Sequence, residues 1–195
     1  MRKISKDELK KTSSLFAEMF SDYTPYRLFF DDKHLAKGTE LLFRCEVFCA
    51  LNYTYTDENF EVIASVKRPG DKDRDLTLLL ADPRFSFEAM KVGNPRNISL
   101  LKEYVAFAQG FAEKYYDPDT DCYIKNIGVA KSARGKGLLR KALNELCSDM
   151  PVYLETHTQE NVSLYEHLGF QLLESAPFHG YTHYCMKRPS LKKPL

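Results

Sequence analysis

Apolar positions recur along the chain in two periods, one helical and one alternating, and the changes between them divide it into elements. Ser5 followed by Glu8 forms a capping box, and Leu9, Phe16, Met19 and Phe20 share one stripe, which predicts an amphipathic helix over 5–20. After a loop containing Pro25, the spacing of Leu35, Leu42, Cys45, Phe48 and Cys49 predicts a second helix over 33–51. Short, β-branched runs at 52–56 and 61–67 read as strands. The stretch KRPGDKDRD (67–75) joins a Pro-Gly pair to seven charges and marks a solvated loop. Helical patterning follows in a short piece near 76–90 and a longer one over 98–116. There Ile98, Leu101, Val105, Ala108, Phe111, Ala112 and Tyr115 line one face. CYIKNIGV (122–129) reads as a buried strand, 137–148 as a helix and PVYLE (151–155) as a strand. Residues 159–168 form a helix closed by Gly169, and FQLLE (170–174) and YTHYCMK (181–187) are the last strands. Strand, helix and strand in succession imply a right-handed parallel crossover, while the outer hairpins imply antiparallel neighbours. The expected class is therefore α/β, or α+β by the stricter definition, in a single domain of 195 residues.

Composition narrows the field by exclusion. The 28 basic and 27 acidic residues leave a net charge of +1, which argues against a chain built to coat nucleic acid or an anionic membrane. No run approaches 18 apolar residues and the N-terminal MRKISKDELKK is polar, so a cytoplasmic protein with no membrane partner is expected. Five scattered cysteines without a CxxC pair suggest free thiols in a reducing compartment. Cys45 and Cys49 fall on one helix face as small hydrophobes. His179 and His183 flank Gly180 in a turn-to-strand segment, and no metal-ligand spacing is present, so no metal is expected. The only tail-like segment is the basic end around Lys187, Arg188, Lys192 and Lys193.

The chemistry concentrates where the strand 122–129 runs into IGVAKSARGKGLLRK. A buried strand that opens a helix through a Gly-containing basic loop can bind phosphate. Amides at a helix start are unpaired and carry partial positive charge, and glycines let several converge on one anion. Five of the eleven residues from Lys131 to Lys141 are Lys or Arg, with no acid among them. A triphosphate-binding P-loop is excluded because Gly137 is followed by Leu138. A dinucleotide fingerprint fails because Arg140 stands where its third glycine belongs. On its own, such a loop is also compatible with an ordinary strand-to-helix turn.

A second stretch, PVYLETHTQENVSLYEHLGFQLLE (151–174), adds a strand, a short polar loop, a helix carrying Tyr165 and a Gly-Phe exit. Together the two stretches resemble the GNAT superfamily of N-acetyltransferases. Arg134-Gly-Lys-Gly137-Leu-Leu139 is similar to that family's pyrophosphate loop except at Leu139, and YEHLGF (165–170) to its closing helix. PVYLE and the Asn161-to-Tyr165 spacing look most like the puromycin N-acetyltransferase branch. The resemblance is strong over 122–188 and weak over the first half.

The resemblance implies a GNAT fold: a mixed, mostly antiparallel sheet of about six to seven strands, splayed between the fourth and fifth and flanked by helices. An extra helical segment (68–120) falls between the third and fourth strands. It implies acetyl-CoA as cosubstrate and a primary amine as acceptor. Residues 122–188 would hold the cofactor and 1–121 the acceptor, in a monomer or homodimer. Ile127, Gly128 and Val129 would pair with the pantetheine arm, with the Val129 amide facing the thioester oxyanion. Arg134, Gly135, Lys136, Gly137, Leu138, Leu139 and Arg140 would form the pyrophosphate cradle. Tyr165 would be the general acid, or else a core tyrosine packed on Val162 and Leu168. Asn161 would reach the cofactor arm or cap its helix. The family position that carries a catalytic Glu corresponds to Tyr123, on a strand whose alternation sets Tyr123, Lys125 and Ile127 on one face. The base would then be Glu155 or a water chain. His157 is a candidate wall of the acceptor pocket and His179 with His183 its lid; each is otherwise a surface residue. That pocket is expected from 20–34, 76–116 and 176–183, where Asp22, Asp31, Asp32 and Glu88 could draw in a cation. A non-catalytic acyl-CoA-binding module and a structural helper domain are the alternative readings.

Overall fold

A computed structural model describes residues 1–93 and 95–191, so Lys192 and Lys193 lie outside the described residues. The elements run β1 (Arg2–Lys3), α1 (Leu9–Met19), α2 (Leu35–Cys49), β2 (Thr54–Thr56), β3 (Val62–Lys67), α3 (Thr77–Leu80), α4 (Pro83–Val92) and α5 (Pro95–Tyr115). They continue with β4 (Cys122–Val129), α6 (Leu138–Cys147), β5 (Val152–Thr156), α7 (Gln159–Glu166), β6 (Gln171–Phe178) and β7 (Tyr181–Arg188). At the first helix the Ser5 amide donates to Glu8 Oε2 at 2.8 Å, as the capping box requires. The two-residue β1 was not anticipated, being too short to carry a period.

The strands form one seven-stranded sheet in the order β1-β2-β3-β4-β5-β7-β6, antiparallel except for the β4–β5 pair. On one face α6 and α7 cover Val62, Ala64, Val66, Ile124 and Leu154, with Leu143, Val162 and Phe170 filling the layer. On the other, Phe16, Phe43 and Val47 of α1 and α2 pack on Ile63. Burying each such side chain contributes about 1.5–3 kcal/mol, so the helices are fixed on the sheet from both sides. α1 lies close to β4 at Gly128, where a Cβ would sit 3.0 Å from Met19 Sδ and 3.1 Å from the Phe20 ring.

Two expectations change. Ile127 does not share a face with Tyr123 and Lys125. The β3–β4 register passes from Val66↔Ile124 to Ser65↔Asn126, so Lys125 is an extra residue in a bulge. Ile127 joins Ile124 in the core layer instead. On α5, Ile98 and Val105 are exposed, and the stripe turned inward is Tyr104, Phe107 and Phe111. Their rings meet Phe178 of β6 and His183 of β7. Both stripes satisfy a helical period, and the aromatic one buries more area.

Candidate active site

β4 and β5 pair only at Cys122↔Val152, Tyr123↔Tyr153 and Ile124↔Leu154, although both strands continue beyond. The gap so opened is edged by Ile127, Gly128 and Val129. Because the Ala130 amide donates to Glu61 O on the β3 side at 2.8 Å, alternation turns the backbone groups of Val129 and Ile127 toward the gap. At the end of β4 the chain turns through Gly135 (φ +80°) and Gly137 (φ +74°), which precedes α6. A Cβ at either glycine would meet nothing within 4 Å, so the loop presents open backbone. Leu138 and Leu139 pack toward the core, so the unusual Leu139 does not fill the loop. The basic side chains are engaged with protein. Arg134 donates to Asp22 Oδ2 (3.0 Å) and Met19 O (2.9 Å), Lys136 to Glu61 (3.4 Å) and Arg140 to His167 O (3.1 Å).

α7 starts beside the gap. Its N-cap is Thr158, whose hydroxyl accepts from the Asn161 amide (3.3 Å). The Asn161 side chain is thus free of the capping role and donates to Thr156 Oγ1 at 3.0 Å. Tyr165 is buried among Val162, Leu168 and Phe170, edge-on to the Phe170 ring at 5.5 Å. Burial pushes its hydroxyl up to about 12.

The opposite face of the sheet carries a polar aromatic cluster. His157 Nδ1 contacts the Tyr23 hydroxyl (2.7 Å), and its Nε2 contacts the Tyr104 hydroxyl (2.8 Å) and His183 Nδ1 (3.2 Å). Regions 20–34 and 76–116 therefore meet around His157 through Tyr23 and Tyr104, with Phe178 adding the third region against Tyr104. α3 and α4 do not take part and pack on α2 through Phe48, Leu79 and Phe85. His183 is neither surface nor lid, its side chain being wholly buried. Burial lowers it to about 4 and His157 to about 3, the latter further depressed by the His183 charge. His179 is exposed in the β6–β7 turn, 2.9 Å from Glu103 of α5. Glu155 accepts from the Tyr153 hydroxyl at 2.7 Å, Tyr123 also bonds to it, and burial raises its carboxyl. Glu155, His183 and Cys185 each bring one metal-ligand-type atom within 4.8 Å of the others. The register across β5 and β7 creates this cluster, which spacing along the chain did not reveal.

The four acids expected at the acceptor pocket are all committed to ion pairs: Asp22 to Arg134, Asp31 to His34, Asp32 to Arg27, and Glu88 to Lys37 and Arg44. The carboxylate that does face this side is Glu46 of α2, bonded to the Asn126 side chain at the β4 bulge. Nothing in the helical period distinguished it from any other exposed glutamate. Among the described residues, a cavity of about 360 Å³ between α1 and α2 shares Tyr23 and Tyr26 with the cluster.

A parallel pair splayed over a glycine loop and a helix start is an arrangement of the acetyltransferase type. The acetyltransferase (GNAT) family profile matches residues 71–170, and the chain belongs to that family. Over 97 residues it is 30% identical to an uncharacterized N-acetyltransferase of Schizosaccharomyces pombe, covering 47% of this chain and 34% of that protein. The chain thus spans about a third of that curated relative. Among solved structures, "histone acetyltransferase HPA2 and related acetyltransferase" of Corynebacterium glutamicum superposes with a TM-score of 0.59 at 18% identity, covering 100% of this chain and 97% of that one. A GNAT-family acetyltransferase of Streptococcus agalactiae gives 0.55 at 14% identity, covering 98% and 95%. At such identities these likenesses show the fold. Among the described residues, no helix is long and apolar enough to cross a membrane.

Proposed function

We propose that this protein is an N-acetyltransferase that moves the acetyl group of acetyl-CoA to the primary amine of a small molecule by direct attack. The observation that carries the reading is the β4–β5 splay ending on open glycine backbone at the start of α6. In this reading Ile127 and Val129 pair with the pantetheine arm, and amides from Gly135 to Arg140 hold the pyrophosphate. Arg134, Lys136 and Arg140 would exchange their protein partners for phosphate. Asn161 borders the arm from α7. The small-molecule acceptor is favoured by the resemblance of PVYLE and the Asn161–Tyr165 spacing to the puromycin branch. The described unpaired cysteines fit a cytoplasmic setting.

An alkylammonium, with a pKa near ~10.4, must lose a proton before it can attack, while a thiolate near ~8.5 needs only modest help to leave. Tyr165 would donate a hydrogen bond to the departing sulfur. Its raised hydroxyl is a weak acid, so its proton moves as the new amide nitrogen gives up its surplus proton in return. Glu155 lies behind the Tyr123 and Tyr153 hydroxyls, so any proton it accepts as base passes through one of them. Residues 122–188 would form the cofactor half of one domain, and 1–121 the acceptor half.

Release of free CoA thiol from acetyl-CoA across an amine panel tests the proposal, with Tyr165→Phe as the informative variant. Tight acetyl-CoA binding without thiol release from any amine would instead favour the non-catalytic acyl-CoA-binding module.

A further inference from the structure

The β4 position that in the family carries a carboxylate is Tyr123 here, and the fold places another carboxylate beside the same strand. Glu46 projects from α2 to the β4 bulge, where the Asn126 side chain bonds to its Oε2. The bulge that takes Ile127 into the core turns Asn126 the other way, opposite Ser65 of β3. Glu46 therefore sits on the acceptor side of the strand whose far edge is the proposed pantetheine rail. Unlike Glu155, whose side chain is 9% exposed, Glu46 is open to solvent.

Its surroundings suit an ammonium with an apolar body. Tyr26 from the α1–α2 connection, Tyr104 from α5 and Tyr123 from β4 all feel the Glu46 charge, which adds to the burial that holds their hydroxyls well above the usual tyrosine range. Their rings supply the faces that attract cations. The other groups facing Glu46 are Lys125 on β4 and Cys45 and Cys49 on its own helix. The Lys125 ammonium lies 4.6 Å from the Tyr123 ring centre. Surrounding protein raises the Glu46 carboxyl, with Asn126 and Lys125 pulling it back down. A carboxylate placed here can take a proton from a bound ammonium and pass it to the solvent it touches.

We propose that Glu46 receives the protonated amine of the acceptor and takes its first proton, so that the enzyme selects amines that arrive as cations. This rests on the acetyltransferase reading above. The ammonium RNH3+ gives one proton to Glu46, which passes it to water. The freed lone pair attacks the thioester carbonyl carbon, and the C–S bond breaks with its electron pair going to sulfur. Sulfur takes the Tyr165 proton, and the second nitrogen proton restores the Tyr165 hydroxyl. The products are the amide, CoA thiol and one proton in solution.

The test compares Glu46→Gln, Glu46→Asp and wild type on an alkylamine that is cationic at pH 7 and on an aryl amine that is neutral there, with acetyl-CoA affinity measured separately. As a control for surface charge we choose Glu113→Gln, an exposed carboxylate on α5. Glu46→Gln should lower kcat/KM for the alkylamine about 100-fold at pH 7, within the usual range for a lost general base. The loss should shrink as pH rises toward the amine's own pKa and should be small for the neutral amine. Glu46→Asp should recover part of the activity, while acetyl-CoA affinity and Glu113→Gln stay at wild-type levels. Wild-type turnover with Glu46→Gln within threefold of it, or an equal loss for both amines at every pH, overturns the assignment. Absence of turnover by wild type with any amine overturns the acetyltransferase reading and this assignment with it.

Discussion

His183 offers a quantitative check on the acceptor face, because its burial links protonation to folding. The side chain is 0% exposed, ringed by Tyr104, Phe107, Phe111 and His157, and its Nε2 has no hydrogen-bond partner among the described residues. Burial lowers it from 6.5 to about 4. The folded-state pKa is depressed, so the unfolded chain binds the proton first as pH falls. Stability is unaffected well above 6.5, is lost between 6.5 and about 4, and stops falling below that. At 1.36 kcal/mol per pKa unit, this one group withdraws about 2 kcal/mol between pH 7.5 and pH 5. Glu46 and Glu155, whose carboxyls are raised, contribute with the opposite sign, so the wild-type curve alone does not isolate the histidine. The difference between wild type and His183→Gln does, since the protein packed around both carboxyls is retained and Gln, like the neutral imidazole, places no charge beside Glu155. Urea unfolding at pH 7.5, 6.5, 5.5 and 5.0 should show His183→Gln less stable at pH 7.5, with the gap narrowing by about 2 kcal/mol at pH 5. A gap constant to about 0.5 kcal/mol across the series would mean that His183 titrates normally, and the buried-cluster account would fail.

Three further substitutions probe other parts. Tyr165→Phe should reduce kcat by about 10²–10⁴ while leaving acetyl-CoA affinity intact, as read by thiol release and calorimetry; an unchanged kcat would make Tyr165 a packing residue. Gly137→Ala places a Cβ on a left-handed backbone, costing about 1–2 kcal/mol in chemical unfolding. Relaxing that strain would shift the loop backbone and misalign its amides, which should weaken acetyl-CoA roughly tenfold or more, and unaltered affinity would remove the loop from the cofactor site. Arg188 is 2% exposed, burial lowers its pKa, and its Nε and Nη2, beside the Phe170 ring, have no hydrogen-bond partner among the described residues. Arg188→Met should therefore stabilise the fold by about 1–2 kcal/mol, and a lower Tm would show a partner worth more than the desolvation.

The strand, loop and helix of the proposed cofactor site were legible because their signals are local. A strand, two glycines at left-handed φ and an amphipathic helix are contiguous from Cys122 to Cys147, so backbone chemistry and sequence order coincide. The aromatic cluster on the other face was not, because its groups arrive from separate elements and connections and carry no period of their own. Tyr23, Tyr104, His157 and His183 meet only once α5 has docked through its aromatic stripe, and the apolar stripe with Ile98 and Val105 satisfied the same helical spacing. One extra residue at Lys125 reversed the faces of β4, which strict alternation could not anticipate. The acids that looked available in the sequence are in ion pairs, and Glu46 looked like an ordinary surface residue of α2.

The two faces of the sheet differ in the sign of charge that they offer. On the loop side, Lys131, Arg134, Lys136, Arg140 and Lys141 cluster along the glycine loop and the start of α6. Across β4, Glu46 and Glu155 stand opposite Lys125, beside two histidines whose burial keeps them neutral at pH 7. Had His157 and His183 been protonated there, two positive charges would have cancelled the carboxylates and repelled a cationic amine. Their desolvation, which costs stability at low pH, preserves the negative character of the acceptor side at neutral pH. In the proposed reading, an overall charge of +1 averages an anion-attracting edge and a cation-attracting cleft, joined at the strand where the thioester would lie.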